Sequence, residues 1–126
     1  MKITRFEDIE AWQEARKLVK KVYEVFNKSP KLRKDFRLVN QMQDAVVSAM
    51  SNIVEGFARR SNKEFIQFLF ISKSSAAEVQ SQLYVALDQE YVNQDDFERV
   101  YNQAETVSKM DSGFIKYLYS QLKQLK

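Results

Sequence analysis

The sequence predicts an all-α protein, an antiparallel up-down four-helix bundle forming one domain over residues 1–126, and three observations carry that reading. Apolar residues recur in steps of three and four through four long segments, the spacing that lines one face of a helix. Gly occurs twice and Pro once, which leaves little turn chemistry for hairpins. Breaking and capping residues gather at Ser29-Pro30, Ser61-Asn62 and Asn93, so the connections are short and successive helices run antiparallel. A chain of 126 residues, 44% of them hydrophobic, buries enough surface to fold without a staple.

The first helix is expected from about Asp8 to Asn27, with Ile9, Trp12, Ala15, Val19, Val22 and Phe26 on its apolar face. Thr4 or Asp8 would cap it, and the residue before Pro30 ends it, because helical geometry clashes with the proline ring. The second is expected to run without interruption from after Pro30 to about Ala58. It carries two seams: Val39, Met42, Val46, Ala49 and Ile53, and beside them Val47, Met50, Val54 and Phe57. Two seams imply burial on more than one side.

Ser61-Asn62-Lys63-Glu64 is a capping-box pattern, in which Ser61 holds the new helix and Glu64 reaches back. The third helix follows, from about Asn62 to Tyr91, along Phe65, Leu69, Ser72, Ala76, Val79, Leu83 and Ala86. Its middle, Ser72 to Ala77, is mostly small, which predicts a close helix–helix approach. Asn93 caps the fourth helix, whose stripe is Phe97, Val100, Ala104, Val107, Phe114, Leu118 and Leu122. Gly113 interrupts that stripe and marks a kink or a close contact. The tail, Leu122 to Lys126, is expected to fray.

There is no Cys and no His. Disulfides, thiolate or imidazole metal sites, and Ser-His or Cys-His nucleophile pairs are thereby excluded. Asp95, Asp96 and Glu98 cluster at a helix start, where the dipole accounts for them, and no paired acids fall on a core face. No enzyme, metal or cofactor is therefore expected. The acidic N-terminus is no secretory signal and no apolar run reaches membrane-spanning length, so the expectation is a cytoplasmic protein with no membrane partner.

The net charge of +3 is unevenly spread. Residues 1–63 carry 14 Lys and Arg against 8 Asp and Glu, whereas residues 64–126 carry 6 against 9. That division suits an anionic partner, head-to-tail association of identical subunits, or simply a solvated surface. Arg16, Lys17, Lys20 and Lys21 on the first helix, with Arg59, Arg60 and Lys63 at the tip between the second and third, are the candidate phosphate contacts. No helix-turn-helix, RRM or KH pattern is present, so binding would read shape and phosphates rather than bases. Asn52, Glu55 and Gly56 form an unusual cluster near the end of the second helix. As structural elements they would be a hydrogen bond to the third helix, an ion pair with Arg59 and a close packing point. As functional elements they would line a ligand groove.

Phe6-Glu7-Asp8-Ile9 with Trp12-Gln13 and Ala15, then Gln41, Ser48, Asn52-Ile53-Val54-Glu55-Gly56, Arg59 and Ser61, form one set of motifs. Lys63-Glu64-Phe65, Phe68-Leu69, Ser74-Ser75, Glu78 and Leu83 extend it. Together they resemble the four-helix-bundle proteins encoded in intervening sequences of bacterial 23S ribosomal RNA genes, over nearly the whole chain. The resemblance implies a ring-like homopentamer and a structural motif of Asn52, Glu55, Gly56, Ser75 and Glu78. It also implies relatedness to the accessory protein of diversity-generating retroelements, which looks like a basic pentamer binding nucleic acid and its reverse transcriptase. Two departures stand out. Gln43 and Asp44 replace a usual pair of arginines, and Ser74-Ser75 replaces Gly-Ser. The functional expectation is a homo-oligomeric scaffold binding RNA or DNA. The alternative is a protein-interaction adaptor, for a reverse transcriptase or a ribosome-associated partner, without nucleic-acid binding.

Overall fold

The computed structural model describes residues 3–124. A 3-10 turn, Phe6–Asp8, leads into α1 (Glu10–Lys28), a one-turn helix α2 (Pro30–Lys34), α3 (Phe36–Ala58), α4 (Asn62–Asp88) and α5 (Gln94–Gln124). Among the described residues there are no strands. The long helices pack in the cyclic order α1, α3, α4, α5, so α1 lies diagonally across the bundle from α4. The expected fold class is the observed one.

The predicted apolar stripes form the core. Every residue expected along the main α4 seam is buried, as are Met42, Val46, Ala49 and Ile53 of α3. The second seam of α3 is only half covered: Met50, Val54 and Phe57 pack against the core, while Val47 is exposed.

Four local expectations are corrected. Neither Thr4 nor Asp8 caps α1; the cap position is Ile9, which offers no side-chain acceptor. Ile9 is fully buried, and burying such a side chain stabilises by roughly 1.5–3 kcal/mol, more than the ~1 kcal/mol of a polar cap. The helix after Pro30 is not continuous. Ser29 Oγ accepts from Leu32 N at 3.1 Å, and Asp35 Oδ1 accepts from Leu38 N at 3.1 Å to start α3 afresh. Leu32 and Leu38 are both buried, and six residues apart they would diverge by about a third of a turn in an unbroken helix. The break turns both inward. α4 ends at Asp88 rather than Tyr91, with Glu90 at positive φ and Tyr91 N bonded back to Ala86 O, a Schellman-type stop. Ser29 Oγ and Asp35 Oδ2 then latch this turn through the Tyr91 carbonyl and hydroxyl, at 2.7 and 3.0 Å.

Gly113 is the fourth. An added Cβ there meets nothing within 4 Å, so it marks no close contact. α5 is helical through Gln124; the rest of the tail expected to fray, residues 125–126, lies outside the described residues.

Gly56 behaves as expected. A Cβ on it would lie 2.7 Å from Phe65 Cδ1 and 2.8 Å from Phe68 Cβ, so α3 and α4 meet there without room for a methyl group. Gly56→Ala is expected to destabilise by about 1–3 kcal/mol despite the better helix propensity of Ala. Gly113→Ala, in open space, is expected to stabilise by about 1 kcal/mol. Denaturant titration of both variants checks the pair, and equal effects would refute the close-packing account.

Candidate nucleic-acid interface

α3 and α4 are joined by a small, polar seam. Ser72 Oγ donates to the Ala49 carbonyl at 2.7 Å, and Ser48 and Ser75 share a hydrogen bond of 2.9 Å. Asn52 does not bond α4 directly, contrary to the expectation from sequence. Its Nδ2 donates to Ser48 O and Ser48 Oγ, both at 2.9 Å, so it reaches Ser75 through Ser48. An amide four residues on from a serine sits over that serine, which intercepts it. Glu55 forms the expected pair with Arg59, at 3.2 Å. Glu78 is exposed on α4, beside a shallow groove that also includes Arg37 and Gln41. Gly56, Asn52 and Ser75 therefore serve the contact of α3 with α4, whereas Glu55 pairs with Arg59 and Glu78 stands exposed in the groove.

The turn after α3 is the tip of the bundle. Ser61 Oγ accepts from Glu64 N at 3.3 Å. The Glu64 carboxylate lies 3.7 Å from Arg59, which is the side to which it is drawn. Arg59 is thus bracketed by two acids, and its guanidinium also stacks over Phe68, 5.0 Å from the ring centre. Arg60 adopts φ 54°, the left-handed region usually left to Gly after a helix. It lines a pocket with Ile3, Thr4, Phe57 and Phe65, and its charge and that of exposed Lys63 meet no acid among the described residues.

On α1, Arg16 lies over Trp12, with 5.8 Å to the ring centre, and Lys17 pairs with Glu14 at 2.7 Å. Lys21 donates to Gln103 Oε1 on α5 at 2.9 Å, and Gln103 donates back to the Glu14 carbonyl at 2.8 Å. The hydrogen bond from Lys17 holds the Glu14 carboxyl below its ordinary range, against the upward push of burial. Lys20 points away, exposed and without an acid partner among the described residues. The expected common face of Lys17, Lys20 and Lys21 is therefore divided by α5. Lys20 also lies about 17 Å along α1 from Ile9, so it and the tip form separate patches.

Folding also mixes the two unequal halves of the chain. Arg99 pairs with Glu24 at 3.3 Å and Lys28 with Asp96 at 3.0 Å, across α1 and α5. Arg33 donates to the Phe26 and Asn27 carbonyls that end α1, at 2.9 and 2.7 Å. Asn93 Oδ1 accepts from Asp96 N at 2.7 Å, the cap expected for α5. Among the described residues no group of side chains has the arrangement of a metal site, and no helix is long and apolar enough to cross a membrane.

A profile of the 23S rRNA-intervening sequence protein family matches residues 7–113. The chain belongs to that family. A crystal structure of a protein of unknown function from the S23 ribosomal protein family of Bacteroides thetaiotaomicron VPI-5482 is similar, with a TM-score of 0.77 and 21% identity. The alignment covers 84% of this chain and 95% of that one, and at such identity it shows a shared fold alone. Among curated proteins there is no match.

One residue of this family member escaped sequence analysis. Asp111 is fully buried, and neither carboxyl oxygen has a hydrogen-bond partner as an anion. It sits four residues after Val107 and seven before Leu118, squarely in the α5 stripe, and that spacing was the available signal. Burial pushes its carboxyl up to about 7; Ser72 and the charge of Lys73 pull the other way, but less. Ser72 has little to give, since its proton goes to Ala49. A neutral Asp111 can instead donate to the Ser72 oxygen.

Because the folded value is raised from 3.8 to about 7, folding takes up a proton between those limits, and stability falls as pH rises through that window. Asp111→Asn removes this dependence. The stability of the variant relative to the native chain is expected to grow by roughly 2–4 kcal/mol between about pH 4 and about pH 8. Urea titrations across that range check it, and parallel curves would show that the Asp111 carboxyl ionises in the folded protein as readily as in the unfolded chain.

Proposed function

We propose that this protein is a non-catalytic, self-assembling scaffold that binds RNA or other nucleic acid through phosphate contacts. The observation that carries the reading is the tip, where Arg60 and Lys63, three residues apart in the chain, have no acid to neutralise them among the described residues. Arg60 holds its place at a left-handed position where Gly would be favoured by about 1–2 kcal/mol. Retaining a cation against that conformational penalty is what an anion contact would explain. Lys20 is a further exposed cation on α1, on a patch separate from the tip. Arg59, Arg16, Lys17 and Lys21 serve the bundle first, through the partners described above. The chemistry needed is phosphate neutralisation, which requires no motif and no fixed base geometry.

Self-assembly draws on apolar surface left open by a single copy. Val47 on α3 and Ile71 and Val85 on α4 are exposed, and family resemblance makes a ring of five the expected form. The adaptor reading rests on Phe36, which is 75% exposed at the start of α3 and would suit a protein partner.

Two measurements test the scaffold. Binding of a structured RNA across a salt series is expected to weaken steeply with salt, and the Arg60→Ala/Lys63→Ala variant is expected to reduce the logarithmic slope by about 2. Arg60→Gly is expected to bind more weakly while unfolding a few degrees higher, about 3–5 °C for about 1 kcal/mol. Unchanged affinity in both variants would remove the tip, and no binding at low salt would leave the adaptor reading in its place. Light scattering is expected to give a multiple of 14.9 kDa. A monomer at micromolar concentration would overturn self-assembly.

A further inference from the structure

The groove between the first half of α4 and the last half of α5 combines exposed aromatic rings with free lysines. It encloses about 460 Å³ and is lined by Lys73, Lys116 and Lys123, the rings of Phe70 and Tyr119, and Ser120. That volume falls in the range of ligand clefts. No carboxylate lines it, and none of the three lysines forms an ion pair among the described residues. Asp111, whose carboxyl feels the charge of Lys73, is buried beneath it. Phe70 and Tyr119 are 45% and 48% exposed, one on each wall, and neither ring stacks on another described aromatic ring. Elsewhere the α4–α5 aromatics do pair: Tyr84, Phe97 and Tyr101 form a cluster farther up the same two helices.

We infer that this groove is a binding site for single-stranded nucleic acid, with two bases stacked on Phe70 and Tyr119 and the backbone held by the three lysines. Lys116, Tyr119 and Lys123 follow at steps of three and four on α5, so the ring lies between two cations about 10 Å apart. Phe70 and Lys73 repeat the ring-and-cation pair on α4. Stacking platforms alternating with cations are what an unpaired strand needs, since every base offers a π face once it is freed from a duplex. A duplex keeps those faces inside and has no use for the rings. The inference rests on the nucleic-acid reading above and deepens it, because the tip accounts for phosphate affinity and the groove for preference between strand states.

The test uses the full chain, a short fluorescein-labelled oligouridylate and a blunt RNA duplex of equal length. Binding is followed by anisotropy at low salt, and particle mass by light scattering. The native protein is expected to prefer the single strand. Phe70→Leu/Tyr119→Leu keeps apolar bulk but removes the rings, and is expected to weaken single-strand binding by about tenfold or more while leaving the duplex nearly unchanged. Lys116→Gln/Lys123→Gln is expected to weaken the single strand and lower its salt dependence. Single-strand binding that survives loss of the rings would overturn the groove while the tip reading stands. A loss equal on both probes would do the same. A fall in particle mass on removing the rings would assign the groove to a second copy of the chain and overturn the inference. Binding of neither probe by the native protein would end the nucleic-acid reading and this inference together.

Discussion

The contact on which the rest of the structure depends is the approach of α3 to α4 at Gly56. With no side chain there, Phe65 and Phe68 settle directly onto the α3 backbone. Phe65 then lies 6.2 Å from the Phe57 ring and 5.0 Å from that of Phe114, tying α3, α4 and α5 together at one end. Phe68 becomes the platform for Arg59, which in turn collects Glu55 and Glu64. A turn or two farther along, Ser72 reaches an α3 carbonyl and Ser75 reaches Ser48. A serine is short, so such bonds form only where the backbones are already close. Small residues set the distance, and the hydroxyls then satisfy groups that the same closeness has cut off from water.

That arrangement explains why much of the fold was legible in the sequence. The stripes at steps of three and four, the small middle of α4, the Gly56 contact and the Ser61 and Asn93 caps are local patterns with local causes. The misses have a different origin. The break at Asp35 arises because Leu32 and Leu38 must both face one core, a demand that appears only once α1 and α4 are in place. Asp35 then serves two ends, capping α3 and receiving the Tyr91 hydroxyl, whose ionisation that hydrogen bond makes harder. Ile9 displaced a polar cap for the same reason: burial outweighed a hydrogen bond that water could replace.

The candidate interface was less legible, because charge along a chain does not predict charge across a fold. Seven cations were named from sequence, and four of them turn out to be engaged by partners within the bundle. Lys17 and Lys21 meet Glu14 and Gln103, Arg59 meets Glu55 and Glu64, and Arg16 covers Trp12. The acidic start of α5 neutralises part of the basic end of α1 in the same way. What survives is a smaller set, Arg60 and Lys63 at the tip with Lys20 apart from them, and the lysines of α5, which lie in the half of the chain that is acidic overall. Net charge by segment pointed away from Lys116 and Lys123; only the packing of α4 on α5 brings them to Lys73.

Two residues break local rules, and the comparison between them and their counterparts gives the breaks meaning. Arg60 and Glu90 both take positive φ after a long helix. At Glu90 the geometry has a structural reason, since the Tyr91 backbone closes α4 and its carbonyl and hydroxyl are latched by Ser29 and Asp35. At Arg60 the turn would close as well, or better, with Gly, so backbone geometry does not account for the cation. Asp111 repeats the contrast inside the core. Ser72 and Ser75 are buried polar groups with partners, and they hold two helices at a fixed distance. Asp111 is buried with none, in the half of the bundle nearer the tip and beneath the lysine groove. Stability alone would replace both residues, Arg60 by Gly and Asp111 by an apolar side chain. Each departure therefore calls for a cause outside packing, Arg60 in the turn after α3 and Asp111 in the core beside Ser72 and Lys73.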